Sequence, residues 1–456
     1  MATNKSEKIK NLFRDIPKEI QIDKLDIPKG LPETQVKKLV QEILSKNESC
    51  EKYSCFLGGG VYRHYIPSAL PFIVNRSEFY TSYTPYQPEI SQGALQALFE
   101  YQSLIAELTE MDVANSSLYD SATALGEAAR MCYRITEGKK VFIIPRHIHW
   151  DKKFVLKNYI KSLNMQVIEI PYTRPAGEID LEQLKNSITE DTAGVYIETP
   201  NFFGVFETGL KDVRSIIGKV PLIVGVNPLA LPIIKPPGEY DADIAIGEGQ
   251  PMGLNMNFGG PSLGIFACKK EYIRKMPGRV VSITKDSNGE RAFCLTLQTR
   301  EQHIRRKDAT SNICTNEALL AIQSAVYIAL LGRLGLEEVA LTNMVKARKL
   351  AQKLSKVQGF KVPLFNGEYF NEFVIWAPVS SERLIRYLTY NHIHGGISLE
   401  VEFPDLGHSL LVSATELTTE NEINHLVETL KEGKWLTEKN PPEKDKLDKP
   451  VIEVKK

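Results

Sequence analysis

Between residues 140 and 267 short apolar runs alternate with helical segments, and this alternation restricts the possible folds more than any other feature of the chain. The runs fall at 140–144 (KVFII), 166–170 (QVIEI), 194–197 (GVYI), 221–226 (PLIVGV), 243–246 (DIAI) and 263–267 (LGIFA). Helical patterns at 154–163, 180–187 and 210–217 separate the first four. Strands this short and this continuously apolar are buried on both faces. With helices between them they form a mostly parallel sheet covered on each side.

The flanking segments read differently. Residues 93–109 form a strong amphipathic helix, and Val36, Leu39, Val40 and Ile43 mark a helical stripe over 33–44. A turn-rich, aromatic stretch runs from 53 to 92. Beyond the sheet lies a long helical region at 315–357, broken only at Gly332 and Gly335. Strands at 360–379 and 410–414 and helices at 381–390 and 420–430 then make a small α+β unit. A single core stops growing at roughly 250–300 residues, and this chain has 456. We therefore divide it into an N-terminal arm with an aromatic loop (1–92), a large α/β domain (93–314), a small C-terminal α+β domain (315–432) and a charged tail (433–456).

Composition excludes several functions. Lys+Arg and Asp+Glu both number 56, so no net charge favours a nucleic acid or a membrane surface as partner. The first twenty residues are polar and lack the apolar core of a secretory signal, and no run approaches the ~20 apolar residues that span a bilayer. The six cysteines are scattered, with no C-x-x-C pair. They read as reduced thiols of a cytoplasmic protein without a metal site.

Six stretches carry a resemblance: FLGGGVYRHYIPSAL (56–70), FYTSYTPYQPEISQGALQALFEYQSLIAELT (79–109), YDSATALGEAARM (119–131), ETPNFFGVFE (198–207), GEGQPMGLNMNFGGPSLGIFA (247–267) and TREQHIRRKDATSNICTNEALLA (299–321). The chain resembles the P-protein of the glycine cleavage system over about residues 10–430. Within that family it is similar to the first, or alpha, subunit of the two-chain form. The resemblance implies a pyridoxal-phosphate-dependent, aminotransferase-like large domain of fold type I with a mostly parallel sheet, an N-terminal helical arm and a small C-terminal α+β domain. It also implies a reaction: decarboxylation of glycine, with transfer of the aminomethyl group to the lipoyl arm of the H-protein.

Such an enzyme needs a lysine for the Schiff base and an acid for the pyridine nitrogen, so that the ring works as an electron sink. By the resemblance, counting back from Gly259-Gly260-Pro261, the lysine position falls on Gln250, whose amide nitrogen is no nucleophile. The acid position, at the end of the strand 221–226, falls on Asn227. Lys235 precedes the strand that should carry the lysine, and Lys269 and Lys270 follow the wrong strand, so each reads as a surface charge. The chain is thus expected to bind no cofactor covalently and to have no catalytic residue of its own. The implied partners are a pyridoxal-phosphate-carrying beta subunit, the lipoylated H-protein and glycine, in an α2β2 assembly.

In this fold a subunit lends residues to its partner's site. Tyr83, Tyr86, Gln87 and Glu89 in the loop 80–90 are the candidates for lining the substrate site, through phenol donors, ring walls and polar contacts. The alternative is that they only pack the interface. Gly58-Gly59-Gly60 reads as a tight turn with close backbone approach, with a phosphate cradle as the alternative. Ser121-Ala122-Thr123-Ala124, before a helix at 125–135, sits where the family holds phosphate and reads as a vestige of that site. His147 and His149 lie where a ring could stack on a cofactor, and Arg305 and Arg306 are candidates for carboxylate or interface contacts. Two rival readings remain at this point. One is a self-sufficient pyridoxal-phosphate enzyme with an unrecognised lysine, and the other is a non-enzymatic scaffold or regulatory subunit.

Overall fold

The computed structural model describes residues 12–22, 26–81 and 83–436. Most of the charged tail, 437–456, lies outside the described residues. The chain divides into two compact units, residues 1–52 and 53–456. The first contains the helix Glu33–Leu44, started by Pro32 at its N-cap, with Val36, Leu39, Val40 and Ile43 exposed. The second holds everything else described below.

Strand β1 (Ser54–Cys55) opens the second unit, and β2 (Val113–Ala114) is the first strand of the main sheet. β3 (Val141–Pro145), β4 (Gln166–Ile170), β5 (Thr192–Thr199), β6 (Leu222–Val226), β7 (Ile244–Glu248) and β8 (Gly264–Cys268) follow. The sheet runs β2-β8-β7-β6-β5-β3-β4. The pairs among β3, β4, β5, β6 and β7 are parallel, and β8 is antiparallel to β7. Alternate residues face alternate layers, as the two-residue period of a strand requires. Ile143, Val195, Ile197 and Val224 pack with Leu95, Leu98 and Ile105 of the helix Gln92–Thr109 and with Val213 and Ile217 of Leu210–Ile217. Their neighbours Phe142, Ile144, Tyr196 and Ile223 pack instead with Leu125, Ala128 and Met131 of the helix Ser121–Ile135 and with Leu156 of Trp150–Ile160.

A hairpin of β9 (Val280–Lys285) and β10 (Arg291–Thr296) packs on the helix Gln92–Thr109 through Val281, Phe293 and Leu295, turning at Gly289 with φ 84°. The helix Ala318–Leu354 is long and apolar enough to cross a membrane by length and composition. It is a core element instead. Ala321, Ile322, Tyr327 and Ile328 are buried in the large-domain core, Gly332 breaks the helix at φ 58°, and Ala347, Leu350 and Leu354 enter a second core. That second core is built on β11 (Glu372–Trp376) and the helices Ser381–Tyr390 and Glu420–Lys431. β12 (Ile393–His394) pairs with β1, and β14 (Ser409–Ser413) lies between β11 and β13 (Ile397–Ser398). The parallel pairing of β1 with β12 ties residues 54–55 to the small domain, so the segment after β1 crosses the mouth of the main sheet.

Candidate functional site

In a parallel α/β sheet, ligand-binding residues gather beyond the carboxyl ends of the strands. The residues singled out from the sequence fall on that edge. His147 and His149 follow β3, Asn227 follows β6, and Gln250 lies two residues beyond β7. The Gly58–Tyr62 segment reaches two of them, bonding to Gln250 through Tyr62 and lying beside His149 at Gly59.

Gln250 is 2% exposed and its amide is fully engaged. Its Oε1 accepts the Tyr62 N–H at 2.9 Å, and its Nε2 donates to the carbonyls of Tyr62 and Leu254, both at 2.9 Å. The side chain is therefore a staple between two loops, pairing with Tyr62 in both directions as a strand neighbour would. At Asn227, Oδ1 accepts the Leu229 N–H at 3.0 Å, a turn-capping bond that holds the chain leaving β6.

The triple glycine approaches a carboxylate. Gly59 N–H donates to Glu372 Oε2 at 2.9 Å, and a Cβ on Gly58 would collide with the same carboxylate. Glu372 is 4% exposed and also accepts the Tyr62 phenol at 2.6 Å. Burial, helped by the charge of Glu198, pushes its pKa from 4.5 up to about 7. Burial and the adjoining Glu372 likewise hold the Tyr62 phenol well above its usual range, so that Tyr62 is the standing donor of the pair. Lys152, from the first turns of the helix Trp150–Ile160, pairs with Glu198 on β5 beside this group.

The two histidines separate. His147 is buried, with Nε2 2.8 Å from Glu207 and its ring stacked on Phe203. It is a core residue. His149 caps the helix Trp150–Ile160 by accepting the Asp151 N–H at 3.1 Å. Its ring lies against Trp150 and Phe202 and faces the Gly59 turn. Burial lowers its pKa. Of the two, His149 is the ring at the cleft.

Ser121-Ala122-Thr123-Ala124 does not precede a helix at 125; it forms the first turn of a helix that begins at Ser121. The cause is Asp120, whose carboxylate caps the Thr123 N–H at 2.7 Å. The Ser121 N–H is taken by the Glu248 carboxylate at 3.1 Å. The lysines set aside from the sequence are engaged or exposed: Lys235 pairs with Glu239, Lys269 with Asp241 and Asp243, and Lys270 is exposed.

The loop 80–90 stands apart from this cleft. Tyr83 is 74% exposed, and Gln87 and Glu89 are exposed. Tyr86 accepts a bond from Arg279 at 2.9 Å, with the guanidinium over its ring. Arg305 and Arg306 are exposed beside the short helix Gln302–Arg305. Sequence reasoning missed Tyr62, Lys152, Glu198, Glu248 and Glu372. Glu198 and Glu248 had a local signal, each an acid at the end of an otherwise apolar strand.

The model of the glycine cleavage system P-protein family matches residues 3–430. The chain belongs to that family. Relatives named probable glycine dehydrogenase (decarboxylating) subunit 1 include one from Staphylothermus marinus, 45% identical, with 92% of each chain covered. Another, from Pyrococcus furiosus, is also 45% identical and covers 93% of this chain and 94% of the relative. A crystal structure of glycine decarboxylase (P-protein) of the glycine cleavage system, in inhibitor-bound form, superposes with a TM-score of 0.84 at 40% identity, over 93% of this chain and 94% of that one. A sphingosine-1-phosphate lyase from Burkholderia pseudomallei shares the fold at a TM-score of 0.66 and 11% identity. The architecture is fold type I, as the P-protein resemblance implied.

That fold implies pyridoxal phosphate, and the residues here do not fit it. An amide whose oxygen and both N–H groups are hydrogen-bonded stands at 250, an amide that caps a turn stands at 227, and a carboxylate occupies the helix N-terminus at 121.

Proposed function

We propose that this P-protein chain is the cofactor-free subunit of a two-chain glycine decarboxylase, soluble in the cytoplasm and active only with a second subunit that carries pyridoxal phosphate. The observation that carries this reading is Gln250: a buried amide bonded on both sides to Tyr62 can neither attack an aldehyde nor be spared from the structure. The names of the relatives support a two-subunit enzyme.

The partner's cofactor supplies the electron sink for loss of CO2 from glycine, and the aminomethyl group then passes to the lipoyl arm of the H-protein. This chain's residues shape and close the neighbouring site. Tyr83, with its phenol free of the protein body, and Tyr86, held by Arg279, are the candidates for reaching across, with Gln87 and Glu89 adding polar contacts. The surface around them suits a protein partner. Phe72, Tyr80, Tyr83 and Ile90 are exposed, as are Leu330 and Leu334 on the long helix against which the helix Ala69–Val74 packs. Exposed large apolar side chains such as these suit an interaction surface. The stoichiometry that follows from the family is α2β2.

The test is co-expression with the second subunit. Glycine–bicarbonate exchange is expected only when both chains are present. This chain alone, treated with pyridoxal phosphate and borohydride, should yield no labelled active-site lysine. Exchange activity or a stoichiometric lysine label in this chain by itself would overturn the reading.

A further inference from the structure

We propose that Glu248 fills, from within the protein, an anion cradle otherwise suited to a phosphate group, and that it keeps phosphate monoesters out of this chain whatever residue stands at 250. Glu248 ends β7, and four donors from three separate segments converge on its carboxylate. Oε2 accepts the N–H of Ser121 at 3.1 Å, the first residue of a 15-residue helix. Oε1 accepts the N–H of Gln250 at 3.0 Å and of Leu263 at 3.2 Å, together with the Ser262 hydroxyl.

A carboxylate drawn into a protein is ordinarily matched by an arginine or lysine. Among the described residues none pairs with Glu248. Burial pushes its pKa up, and the bonds from Ser262, Leu263, Ser121 and Gln250 pull it back. What holds the charge is a helix N-terminus, two loop N–H groups and a hydroxyl, the donor set that binds phosphate oxygens. The other acid at this helix end, Asp120, takes the Thr123 N–H instead, so the two carboxylates divide the terminus between them.

Occupancy follows from tethering. Glu248 is carried to the donors by its own strand, so its effective concentration there is on the order of millimolar or higher. A free anion has to displace it and strand a carboxylate without partners. Exclusion of phosphate is thus a property of Glu248 and is separate from the loss of a lysine at Gln250. It also stands apart from the glycine reaction, so its failure would leave the proposed function untouched.

The test uses the purified full-length chain, wild type and Glu248→Ala, with inorganic phosphate as the probe. The readouts are the phosphorus-31 line width and the thermal midpoint across a millimolar titration. For Glu248→Ala the expected result is saturable broadening and a rising midpoint, with an affinity at least about tenfold above that of wild type. A wild type that binds phosphate as tightly as the variant would overturn the inference. So would a folded variant that shows no response. If Glu248→Ala does not fold in phosphate-free buffer, refolding yield becomes the measurement: rescue by phosphate but not by chloride supports the inference, and rescue by neither overturns it.

Discussion

Installing the missing amine at position 250 should damage this chain rather than awaken it. The perturbation is Gln250→Lys. The wild-type amide accepts one bond and donates two, all at 2.9 Å, in a position 2% exposed. A lysine has donors and no acceptor, so the Tyr62 N–H loses its partner, at a cost of about 1–3 kcal/mol for a buried orphaned group. The ammonium also enters a site whose nearby carboxylates are already engaged, Glu248 by four donors and Glu372 by Tyr62 and Gly59. Together these terms give a destabilisation of about 2–5 kcal/mol. Urea denaturation followed by far-ultraviolet circular dichroism reads it directly. Gln250→Met is the control, since it removes all three bonds without adding charge and should also be destabilised. Pyridoxal phosphate uptake, followed by visible absorbance and borohydride trapping, should stay at background in Gln250→Lys because Asn227 and Glu248 remain. An unchanged denaturation midpoint would refute the staple role, and stoichiometric trapping at Lys in the variant would refute the exclusion of the cofactor.

Glu372 gives a pH signature. Its folded pKa of about 7 lies above the ordinary 4.5, so the native state holds more protons between those values. Its contribution to stability therefore falls as pH rises through that window and levels off above it, by about 3 kcal/mol in all. Glu372→Gln should remove this slope, and denaturation midpoints at about pH 5 and about pH 8 that fall in parallel for both proteins would contradict it. Asn227→Asp keeps the acceptor for the Leu229 N–H and should change stability by less than about 0.5 kcal/mol, whereas Asn227→Ala should cost about 1 kcal/mol. Tyr83→Ala should leave the isolated chain's stability within about 0.5 kcal/mol of wild type, because the side chain is 74% exposed. In the assembled complex it should lower glycine–bicarbonate exchange at least about tenfold. Intact assembly with an unchanged exchange rate would restrict Tyr83 to the interface. Tyr86→Phe loses the Arg279 bond and should cost about 1 kcal/mol, measured on the chain alone.

The central strands were legible because each is a compact apolar run with both faces buried, and β3 to β8 lie within about two residues of the runs at 140–267. The β9–β10 hairpin was missed although its signal was present: Asn288-Gly289 sits between two alternating segments. β1, β12 and β13 are two residues each, too short to leave a pattern. The helix at 150–160 begins earlier than the apolar stripe suggests, because His149 caps it ahead of the polar Asp151, Lys152 and Lys153. The placing of Gln250 and Asn227 at the cofactor positions is an expectation of the P-protein resemblance and not of any local pattern. What those amides bond to was not legible. Tyr62 lies 188 residues from Gln250 and 310 from Glu372, and no local rule pairs residues across such distances.

The residues that the resemblance places at the cofactor positions share a physical logic. The cleft does hold buried polar atoms without a partner, Glu198 Oε2, Asn371 Oδ1 and Nδ2 and Ser413 Oγ, but residues 227, 248 and 250 are not among them. Instead Gln250 joins the loop after β7 to the segment over the cleft, Asn227 caps the turn after β6, and Glu248 supplies the charge at the helix N-terminus that a phosphate would bring. Each of these side chains finds its partners within the protein itself. Residues paired in this way need no ligand, which is compatible with the proposed role beside a cofactor-carrying partner. The same pairing makes a cofactor site improbable to gain by single steps, because adding the amine alone leaves the Tyr62 N–H unpaired and the anion cradle occupied.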